Sequence, residues 1–566
     1  MKTEYDVIVI GSGAGALTSA LTATDQGLDV LVCEKSDKFG GTSALSGGGI
    51  WIPNNSLFKK MGGKDSFEDA LTYLKAATQD SVSEERLIAY LEKAPEMVDY
   101  LHQHSQVRFA VAAQYPDYYP HLPGSLAGGR TLDPELYDSS KLNGHLSELR
   151  EASPATLLMG KIGWTARDAH LAISRKFGWQ WTMLKRIIRY KLDAKWRKKH
   201  NTKRDRRVGL GNSLIASLRA SLSDRDVPIW LNSEFVEYIK QDNRVTGVVI
   251  NKDGQSVQLS ARKAVIMASG GFEQNQQLRE KHLPQPTSVQ WSATPPGQNT
   301  GQALIAGEQI DAATDLLECA WWSPTMVVPN EDKARGLFAE RAFPGAIVVN
   351  AQGQRFTNEA GPYLEFGEAM YNNYQSSERK QLQSYVVFDS HFRFNYAMGP
   401  LMPAQIMPDR RLPKAWKDSV YYKADSLEAL ALQINVDANG LKQTVDKINQ
   451  YAQSGNDQDF QRGGNVFDRY YGDRNVKPNP CLAPIVKGPF YAMPIQAGDI
   501  GTKGGLLTNE YAQVLSATTN APIEGLYAIG NCSAAVMGRS YPGAGSTLGP
   551  AMTFGYIAAN HIAQRD

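Results

Sequence analysis

Short runs of consecutive apolar residues, each followed by glycine, mark both ends of the chain. Residues 7–10, Val-Ile-Val-Ile, and residues 30–33, Val-Leu-Val-Cys, have the length and composition of buried strands. Residues 264–271 repeat the pattern and end in Gly-Gly. The stretch that begins at Asn243 alternates in polarity and predicts a β-hairpin.

The pattern between these ends is different. Residues 66–104 have helical spacing, and residues 278–487 are mixed in pattern and rich in Trp, Tyr and Pro. Residues 427–451 again predict helix, and from Gly488 the glycine-rich pattern returns. We therefore predict one α/β unit made of both ends of the chain, with a second unit inserted between them.

The first glycine-rich turn has the spacing of a dinucleotide-binding site. Residues 11–16 read Gly-Ser-Gly-Ala-Gly-Ala and join the first predicted strand to a helix. Gly11 and Gly13 let the backbone approach a pyrophosphate, and the helix N-terminus offers free N–H groups to it. Glu34, about 20 residues further on, follows the second strand, where an acidic side chain holds a ribose hydroxyl.

Composition is that of a globular protein. At 566 residues, the chain is long enough for two or three domains. The mean hydropathy is −0.37, and we find neither a secretory signal nor an apolar run that could span a bilayer. The four cysteines show no metal-ligand spacing, so we predict a cytoplasmic protein without a metal site.

A strongly basic segment interrupts this average composition. The net charge is +2, but residues 175–207 contain 14 Lys or Arg and only two acids, a net +12 that leaves −10 elsewhere. An apolar stripe at helical spacing runs through its first half: Phe177, Trp181, Leu184, Ile188 and Leu192. A basic amphipathic helix of this kind favours a membrane surface, here the inner face of the cell membrane.

Two other interpretations of the basic segment stay open. It is also compatible with an ordinary surface helix packed on the body, or with a nucleic-acid-binding patch. Nothing else in the chain suggests nucleic-acid handling, so we predict no nucleic-acid partner.

Two stretches near the C-terminus complete the glycine-rich pattern. Residues 525–531 read Gly-Leu-Tyr-Ala-Ile-Gly-Asn, and residues 537–552 read Met-Gly-Arg-Ser-Tyr-Pro-Gly-Ala-Gly-Ser-Thr-Leu-Gly-Pro-Ala-Met. With the N-terminal motifs, they make the chain resemble the flavoprotein family that includes fumarate reductase and the 3-ketosteroid dehydrogenases. The resemblance runs nearly from end to end, apart from the basic segment.

Four stretches resemble the 3-ketosteroid Δ1-dehydrogenases within that family. They are residues 46–53 (Ser-Gly-Gly-Gly-Ile-Trp-Ile-Pro), 116–119 (Pro-Asp-Tyr-Tyr), 358–363 (Asn-Glu-Ala-Gly-Pro-Tyr) and 541–545 (Tyr-Pro-Gly-Ala-Gly). The motifs at 488–492 and 499–505 are shared more widely in the family and discriminate less.

The resemblance implies an α/β fold: a Rossmann-like FAD-binding domain, split in sequence, with an inserted α+β catalytic domain. The implied boundaries are 1–277 for the first part of the FAD-binding domain, with a basic amphipathic insertion at about 172–207, then 278–487 for the catalytic domain and 488–566 for the second part. FAD is the implied cofactor, and it is expected to be non-covalent because no histidine lies beside the glycine-rich loops. The implied FAD contacts are Gly11, Gly13, Ala14, Gly15, Ala16, Glu34, Lys35, Gly41, Thr42, Ser43, Ser46, Gly47, Gly48, Val236, Gly271, Gly530, Asn531, Thr547 and Leu548.

The resemblance also implies a reaction and the residues that perform it. In a 3-ketosteroid the carbonyl at C3 makes the C2 proton acidic, and the Tyr541 hydroxyl and Gly545 N–H would stabilise the enolate oxygen. Tyr363 is the implied base, and Tyr118, supported by Tyr115 or Tyr119, would stabilise its phenolate. The hydride from C1 would pass to flavin N5, which makes the implied reaction the 1,2-desaturation of a 3-ketosteroid substrate in steroid degradation.

Several alternatives stay open at this point. A fumarate-type alkene reductase would bind a dicarboxylate through Arg and His, and Arg539 lies near the Tyr541 motif. A ketosteroid Δ4-(5α)-dehydrogenase would share the fold but move the base, and the Tyr118 motif argues against it. The electron acceptor is a quinone, oxygen or a carrier. Trp321 and Trp322 are candidates for lining an apolar pocket, although core packing explains at least one of them.

Overall fold

The structure is a computed structural model that describes residues 2–142, 144–174 and 177–565. Arg175 and Lys176, the first two residues of the predicted basic segment, lie outside the described residues. The strands are β1 (Glu4–Ile10), β2 (Val30–Cys33), β3 (Ile50–Trp51), β4 (Phe109–Val111), β5 (Thr131–Pro134), β6 (Tyr137–Asp138), β7 (Arg207–Val208), β8 (Ile229–Trp230), β9 (Ser233–Gln241), β10 (Arg244–Lys252), β11 (Gln255–Met267), β12 (Thr314–Asp315), β13 (Ala320–Met326), β14 (Arg335–Gly336), β15 (Ala346–Val349), β16 (Ser384–Phe388), β17 (Tyr422–Ala424), β18 (Phe490–Thr502), β19 (Gly505–Leu506), β20 (Gln513–Leu515) and β21 (Pro522–Ala528). The helices are α1 (Ala14–Asp25), α2 (Ser56–Lys60), α3 (Phe67–Thr78), α4 (Glu84–His104), α5 (Ala166–Ile173), α6 (Trp179–Leu192), α7 (Ala194–Lys199), α8 (Leu210–Ser223), α9 (Gln276–His282), α10 (Gln302–Glu308), α11 (Tyr363–Ser376), α12 (Ser390–Asn395), α13 (Leu427–Gln433), α14 (Ala438–Ser454), α15 (Val466–Tyr471) and α16 (Leu548–Gln564).

The first sheet is built from both ends of the chain. Its strand order is β20-β21-β10-β11-β1-β2-β8, and β9 pairs with β10. The centre is parallel, because β1 pairs in parallel with β2 and β11, and β11 pairs in parallel with β21. The predicted buried strands are therefore confirmed, and the fold is a mixed α/β fold.

The uninterrupted apolar run of β1 is explained by cover on both faces of this sheet. Val7 and Val9 belong to the core that contains Leu17 of α1, whereas Ile8 and Ile10 belong to the core that contains Phe235 of β9. Helices cover one face and the β9–β10 hairpin covers the other, so residues 7–10 are all buried, whereas Glu4 at the start of the strand is exposed.

Three predicted elements differ in length from those observed. The helix predicted at 427–451 is divided into α13 and α14, with Asn435 between them in a left-handed conformation at a φ of 55°. The second hairpin strand and the strand predicted at 264–271 are one strand, β11, whose first half pairs with β10 and whose second half pairs with β1. The predicted helix at 66–104 is divided into α3 and α4, because Gln79 and Asp80 adopt left-handed backbone conformations with φ of 53° and 54°.

The second sheet is antiparallel and takes its strands from the middle of the chain, except for its central strand β18, which comes from the C-terminal part. Its strand order is β14-β13-β18-β16-β15, and β17 pairs with β18. Helix α11 packs against β13 and β18. The first residue of α11, Tyr363, instead joins the core of the first sheet, whereas Phe366 and Met370 belong to the core of the second. This helix therefore presents its N-terminus to the cofactor-binding side of the molecule.

Candidate active site

Four strands of the first sheet end side by side, and a predicted cofactor residue follows each end. Gly11 follows β1, Glu34 follows β2, Gly271 comes shortly after β11 and Gly530 shortly after β21. These strands are paired neighbours and run parallel, so the four residues share one edge of the sheet. The carboxyl edge of a parallel sheet is where dinucleotides bind.

The start of helix α1 is a bare backbone surface. Gly11 has a φ of +106°, and a Cβ on it would lie 2.4 Å from the Ala268 carbonyl oxygen. The N-cap of α1 is Gly13, which has no side chain to cap the helix. The Ala14 N–H donates to Ser43 Oγ at 3.1 Å. Such a helix N-terminus favours a phosphate group.

The acidic residue after β2 is held in one orientation. The Glu34 side chain is buried and accepts hydrogen bonds from the Ser12 hydroxyl and, at 2.9 Å, from the Ser36 N–H. Its neighbour Lys35 directs Nζ to Thr300 Oγ1 at 3.4 Å, and burial lowers the pKa of Lys35. The contact of Glu34 with a ribose stays a prediction.

The second glycine-rich loop borders open space beside α1. It contains a 3₁₀ helix at Thr42–Leu45, and the Ser46 hydroxyl accepts from the Gly48 N–H at 3.0 Å. A Cβ on Gly47 would meet nothing within 4 Å, and one on Gly41 would meet only backbone at 3.8 Å or more. This open cradle fits a dinucleotide cofactor.

Helix α16 supplies a second N-terminus next to the first. It begins at Leu548, and Thr547 is its N-cap. A Cβ on Gly15 would lie 2.6 Å from the Ala551 carbonyl oxygen, and one on Gly555 would lie 2.7 Å from the Gly15 carbonyl oxygen. The glycines allow α1 and α16 to touch along their backbones, which no larger residue would permit.

The remaining predicted cofactor residues lie at different depths. Ala16 is buried in α1, and Asn531 Oδ1 accepts from Trp321 Nε1 at 3.2 Å. Val236 lies on β9 and is 52% exposed. The contacts of the individual residues with FAD stay predictions.

Three of the four predicted catalytic residues form one aromatic cluster. The ring centroids of Tyr118 and Tyr363 are 5.7 Å apart, those of Tyr118 and Tyr541 are 5.2 Å apart, and those of Tyr363 and Tyr541 are 5.1 Å apart. All three side chains are buried. Tyr118 comes from the loop after β4, Tyr363 starts α11 and Tyr541 precedes α16, so the fold brings together residues that are distant in sequence.

The hydroxyl groups of the cluster continue into a chain of tyrosines. The hydroxyl oxygens of Tyr115 and Tyr118 are 3.3 Å apart, and the Tyr471 hydroxyl donates to that of Tyr115 at 3.0 Å. Burial raises the pKa of Tyr363 well above its usual value of 10.0, whereas a hydrogen bond from Tyr118 acts to lower it. The effect of Tyr118 on the pKa of Tyr363 therefore has the predicted direction, but burial has the larger effect and raises that pKa.

The predicted carbonyl-binding pair lies in one turn. Gly545 has a φ of +99°, and a Cβ on it would lie 2.5 Å from Ile50 Cα, so this position requires glycine. Burial raises the pKa of Tyr541, and hydrogen bonds from Tyr363, Thr547 and the Gly545 backbone lower it. The Gly545 backbone and the Tyr541 hydroxyl therefore lie close together, and their joint role as donors to a carbonyl oxygen stays a prediction.

Apolar rings surround the three tyrosines. The Tyr541 ring lies 5.0 Å from that of Trp321, and the Tyr363 ring lies 5.1 Å from that of Phe338, which is 41% exposed. Trp322, on the opposite face of β13, packs in the core of the second sheet. One of the two predicted tryptophans thus borders the site and the other does not.

Comparisons with known proteins agree with this geometry. Residues 6–548 match the family model of an FAD binding domain. The 3-oxosteroid 1-dehydrogenase of Comamonas testosteroni is 40% identical over 98% of this chain and 96% of its own, and that of Mycolicibacterium smegmatis is 38% identical over 99% and 97%. The crystal structure of 3-ketosteroid Δ1-dehydrogenase from Sterolibacterium denitrificans, in complex with 1,4-androstadiene-3,17-dione, has a TM-score of 0.96 and 56% identity over 99% of this chain and 100% of its own.

The chain belongs to the 3-oxosteroid 1-dehydrogenase family. The predicted resemblance and the predicted cofactor, FAD, are thereby confirmed. The structure also shows three sets of interactions, made by buried charged or polar groups, that the sequence analysis missed.

The first is Lys503, which holds the turn before Tyr541. Its buried ammonium donates to the carbonyl oxygens of Gly538, at 2.9 Å, and Ser540, at 2.5 Å. It also lies 4.1 Å from the ring centroid of Trp321, and burial lowers its pKa to about 7. The sequence signal for Lys503 was its position in the motif at 499–505, but that motif is shared too widely in the family to assign a role to the lysine.

The second is Arg341, which holds the backbone before α11. Its guanidinium donates to the carbonyl oxygens of Glu359, at 2.7 Å, and Gly361, at 3.2 Å. Burial lowers the pKa of Arg341 to about 10, and the charge interaction with Tyr118 and Tyr363 acts in the other direction. A buried cation beside these phenols favours their ionised form.

The third is the hydrogen bond between Tyr119 and Glu365. Tyr119 was predicted as one of two supports for Tyr118, and the structure gives that position to Tyr115. The Tyr119 hydroxyl instead donates to Glu365 Oε1 and accepts from the Tyr541 N–H at 2.8 Å. No sequence pattern connects these residues, which are 246 positions apart.

Proposed function

We propose that this protein catalyses the FAD-dependent 1,2-desaturation of 3-ketosteroids, the activity of a 3-oxosteroid 1-dehydrogenase. The observation that carries the proposal is the contact among the side chains of Tyr118, Tyr363 and Tyr541. The apolar rings around them suit a flat, hydrophobic substrate, and the clamp at Tyr541 and Gly545 suits a single carbonyl oxygen.

The first task of the site is to polarise the C3 carbonyl. In this proposal the Tyr541 hydroxyl and the Gly545 N–H donate to the carbonyl oxygen and stabilise the negative charge that develops on it. Trp321 packs against the Tyr541 ring, and Lys503 holds the preceding backbone, so the donors are fixed before the substrate arrives.

The second task is to remove the C2 proton. Tyr363 takes the proton, while Tyr118 donates a hydrogen bond to the phenolate oxygen and Arg341 contributes positive charge. The hydroxyls of Tyr115 and Tyr471 continue from Tyr118 and give the proton a route away from the base. When bound, FAD supplies the acceptor for the hydride that leaves C1.

We also propose the two-domain organisation implied by the resemblance. The first sheet takes its strands from both ends of the chain, and the second takes its strands mainly from the middle, which supports a split FAD-binding domain with an inserted catalytic domain. Strand β18 joins the two: it begins in the second sheet, and Thr502 at its end accepts from the Phe272 N–H at 3.0 Å. FAD would be held without a covalent bond.

The test of the proposed activity is a single anaerobic experiment. The purified yellow protein is mixed with a 3-keto-4-ene steroid, and flavin absorbance and product mass and ultraviolet spectrum are recorded. Bleaching with formation of a 1,4-dien-3-one is expected. Because a 3-keto-4-ene already contains the C4–C5 double bond, a saturated 5α-3-ketosteroid is tested in the same assay. No bleaching by the 4-ene, together with C4–C5 desaturation of the 5α-substrate, would favour the Δ4-(5α)-dehydrogenase activity instead.

The fumarate-type reductase is disfavoured by the position of one side chain. Arg539, the arginine that the sequence analysis named for holding a dicarboxylate, forms an ion pair with Glu318 and donates to Cys319 Sγ at 3.3 Å. Its side chain is 63% exposed, unlike the three buried tyrosines.

We further propose that the basic segment docks on an anionic membrane surface. The predicted stripe faces solvent. Phe177, which precedes α6, and Trp181 and Leu192 of α6 are at least 75% exposed, and Leu184 and Ile188 are more than 40% exposed. No helix in the described ranges is long and apolar enough to cross a bilayer, so the proposed contact is peripheral.

The position of this surface relative to the tyrosines supports the proposal. His170 of α5, which packs on α6, stacks on Tyr470 at 4.2 Å, and Tyr470 stacks on Tyr115 at 4.5 Å. Tyr115 in turn contacts Tyr118. Helix α6 therefore lies near the tyrosine cluster, so docking through it would bring the proposed active site close to the bilayer.

Only part of the basic segment is available for such docking. Lys185, Lys191 and Lys195 are exposed, whereas Arg206 pairs with Asp138 at 2.6 Å and Arg207 pairs with Asp193. The predicted charged run is therefore partly folded into the body, because Asp138 and Asp193 lie within reach of its C-terminal arginines.

Substitution of the exposed stripe should abolish binding to vesicles. We expect the triple variant Trp181→Ser, Leu184→Ser, Leu192→Ser to lose flotation with vesicles of anionic phospholipid, because the apolar contribution of the interfacial helix is removed. Steroid turnover in detergent-free buffer should stay unchanged.

A matched control removes three exposed apolar residues elsewhere: Ile406→Ser, Leu432→Ser, Val486→Ser. This control should float like the unmodified protein. Equal flotation of both triple variants would contradict docking through α6.

A further inference from the structure

We infer that Tyr119 and Glu365 form a hydrogen-bonded latch that fixes the base, Tyr363, relative to the carbonyl clamp at Tyr541. Both are positioning residues, since neither belongs to the three-tyrosine cluster. The inference rests on the proposed function, because it assigns to the latch an effect on proton removal from a 3-ketosteroid.

One hydroxyl group carries both halves of the latch. The Tyr119 hydroxyl donates to Glu365 Oε1, and its oxygen accepts from the Tyr541 N–H at 2.8 Å. Tyr119 is 8% exposed, so water competes poorly for these bonds. A single side chain thus joins the loop of Tyr118, the turn of Tyr541 and the helix of Tyr363.

Glu365 connects the latch to the base. It lies in the first turn of α11, two residues after Tyr363. The rest of α11 packs against strands of the second sheet, whereas Tyr118 and Tyr541 belong to the core of the first sheet. Any shift of the second sheet relative to the first would move the base away from the clamp unless a bond crosses between them.

The loop of Tyr118 and the turn of Tyr541 are joined by further hydrogen bonds that do not involve Glu365. The Tyr118 N–H donates to the Pro542 carbonyl oxygen at 2.9 Å, and the Tyr73 hydroxyl donates to the same oxygen at 2.6 Å. The Tyr119 N–H donates to the Tyr73 hydroxyl oxygen at 3.2 Å. The loop and the turn therefore form one rigid piece, and the Tyr119–Glu365 bond ties α11 to it.

The surroundings of Glu365 make its carboxylate dependent on Tyr119. Glu365 Oε2 is buried and, within the described part of the chain, has no hydrogen-bond partner. Burial raises the pKa of Glu365, and the bond from Tyr119 lowers it, with smaller contributions from Lys503 and Arg341. Loss of the Tyr119 hydroxyl would leave a buried carboxyl group without its donor, which is unfavourable.

Proton transfer needs such a device because it depends steeply on distance. A displacement of about 1 Å from the reactive geometry can cost about 100-fold in rate. The base and the oxygen clamp act on adjacent carbons of one substrate, so their separation has to match the distance between the C2 proton and the C3 oxygen. The latch sets that separation.

The test is a double-mutant cycle on the yellow holoenzyme, read as the rate constant of flavin reduction at saturating 3-keto-4-ene steroid. Tyr119→Phe and Glu365→Leu should each slow this step by about 10- to 100-fold. The double variant should be within about twofold of the slower single variant, because both changes break the same link. Glu365→Gln should retain the rate within about threefold, since its amide oxygen can still accept from Tyr119.

The control is Glu368→Leu, one helical turn further along α11, which should retain the rate. Circular dichroism and bound flavin are measured for every variant to verify folding. Two results would overturn the inference: additive losses in the double variant, or a Glu365→Gln variant as slow as Glu365→Leu, which would make Glu365 important for its charge. An unmodified enzyme inactive on the steroid would instead remove the proposed function, so the two failures are distinct.

Discussion

Replacing Tyr363 by phenylalanine should lower the rate of steroid desaturation by about 10²–10⁴-fold, the usual contribution of a general base. The variant keeps the ring and therefore the contacts with Tyr118 and Tyr541, at centroid distances of 5.7 and 5.1 Å. It loses only the oxygen that would take the C2 proton. Stopped-flow measurement of flavin reduction gives the rate directly, and the protein should remain yellow.

The pH dependence of the same step provides a second measurement. Burial raises the pKa of Tyr363, so its phenol is protonated at neutral pH and its basic form increases as the pH rises. The unmodified enzyme should therefore become faster from neutral into alkaline solution, and Tyr363→Phe should lose this dependence.

Tyr371→Phe is the matched control for this prediction. Tyr371 is a buried tyrosine two turns further along α11, where it packs against Trp322 at 5.1 Å. This variant should retain both rate and pH profile. A Tyr363→Phe enzyme with an unchanged rate would remove Tyr363 from the mechanism.

The second large effect is expected at the carbonyl clamp. Tyr541→Phe should cost about 10²–10³-fold in kcat, or about 2.7–4 kcal/mol, because the developing oxyanion loses one of its two donors. The Gly545 N–H remains, and the buried ring keeps its contact with Trp321 at 5.0 Å, so the shape of the site should be preserved.

Ligands that differ only at C3 separate this effect from a general disturbance of the pocket. A steroid without the C3 oxygen should bind to Tyr541→Phe and to the unmodified protein with the same Kd, while the 1,4-dien-3-one should bind more weakly to the variant. Equal weakening for both ligands would indicate lost packing and would remove the clamp role.

Local patterns predicted the central strands of the first sheet, for a physical reason. The apolar strands, the glycines after them and Glu34 are determined by interactions within a few tens of residues, and the strand–turn–helix unit leaves few choices. The same locality explains the misjudged length of β11. The alternating half and the apolar half of β11 look like separate strands because each has a different partner.

The cluster of three tyrosines that we propose as catalytic was predictable only through the resemblance. Nothing in the residues around Tyr118, Tyr363 or Tyr541 distinguishes them from the other tyrosines of the chain, and their meeting depends on how α11 lies across two sheets. Long-range pairs such as Tyr119 with Glu365, or Arg206 with Asp138, have no sequence signature at all. The apolar stripe on α6 was predictable because helical periodicity is local.

The contact between α1 and α16 has a consequence for how this protein is made. Gly15 and Gly555 bring together two helices that lie more than 500 positions apart in the sequence. During translation, α1 and the first strands emerge from the ribosome long before α16 has been synthesised. With FAD in the proposed site, a nascent chain would retain the flavin only after residues near 555 have left the ribosome, so cofactor binding would report on the assembly of distant parts of the chain.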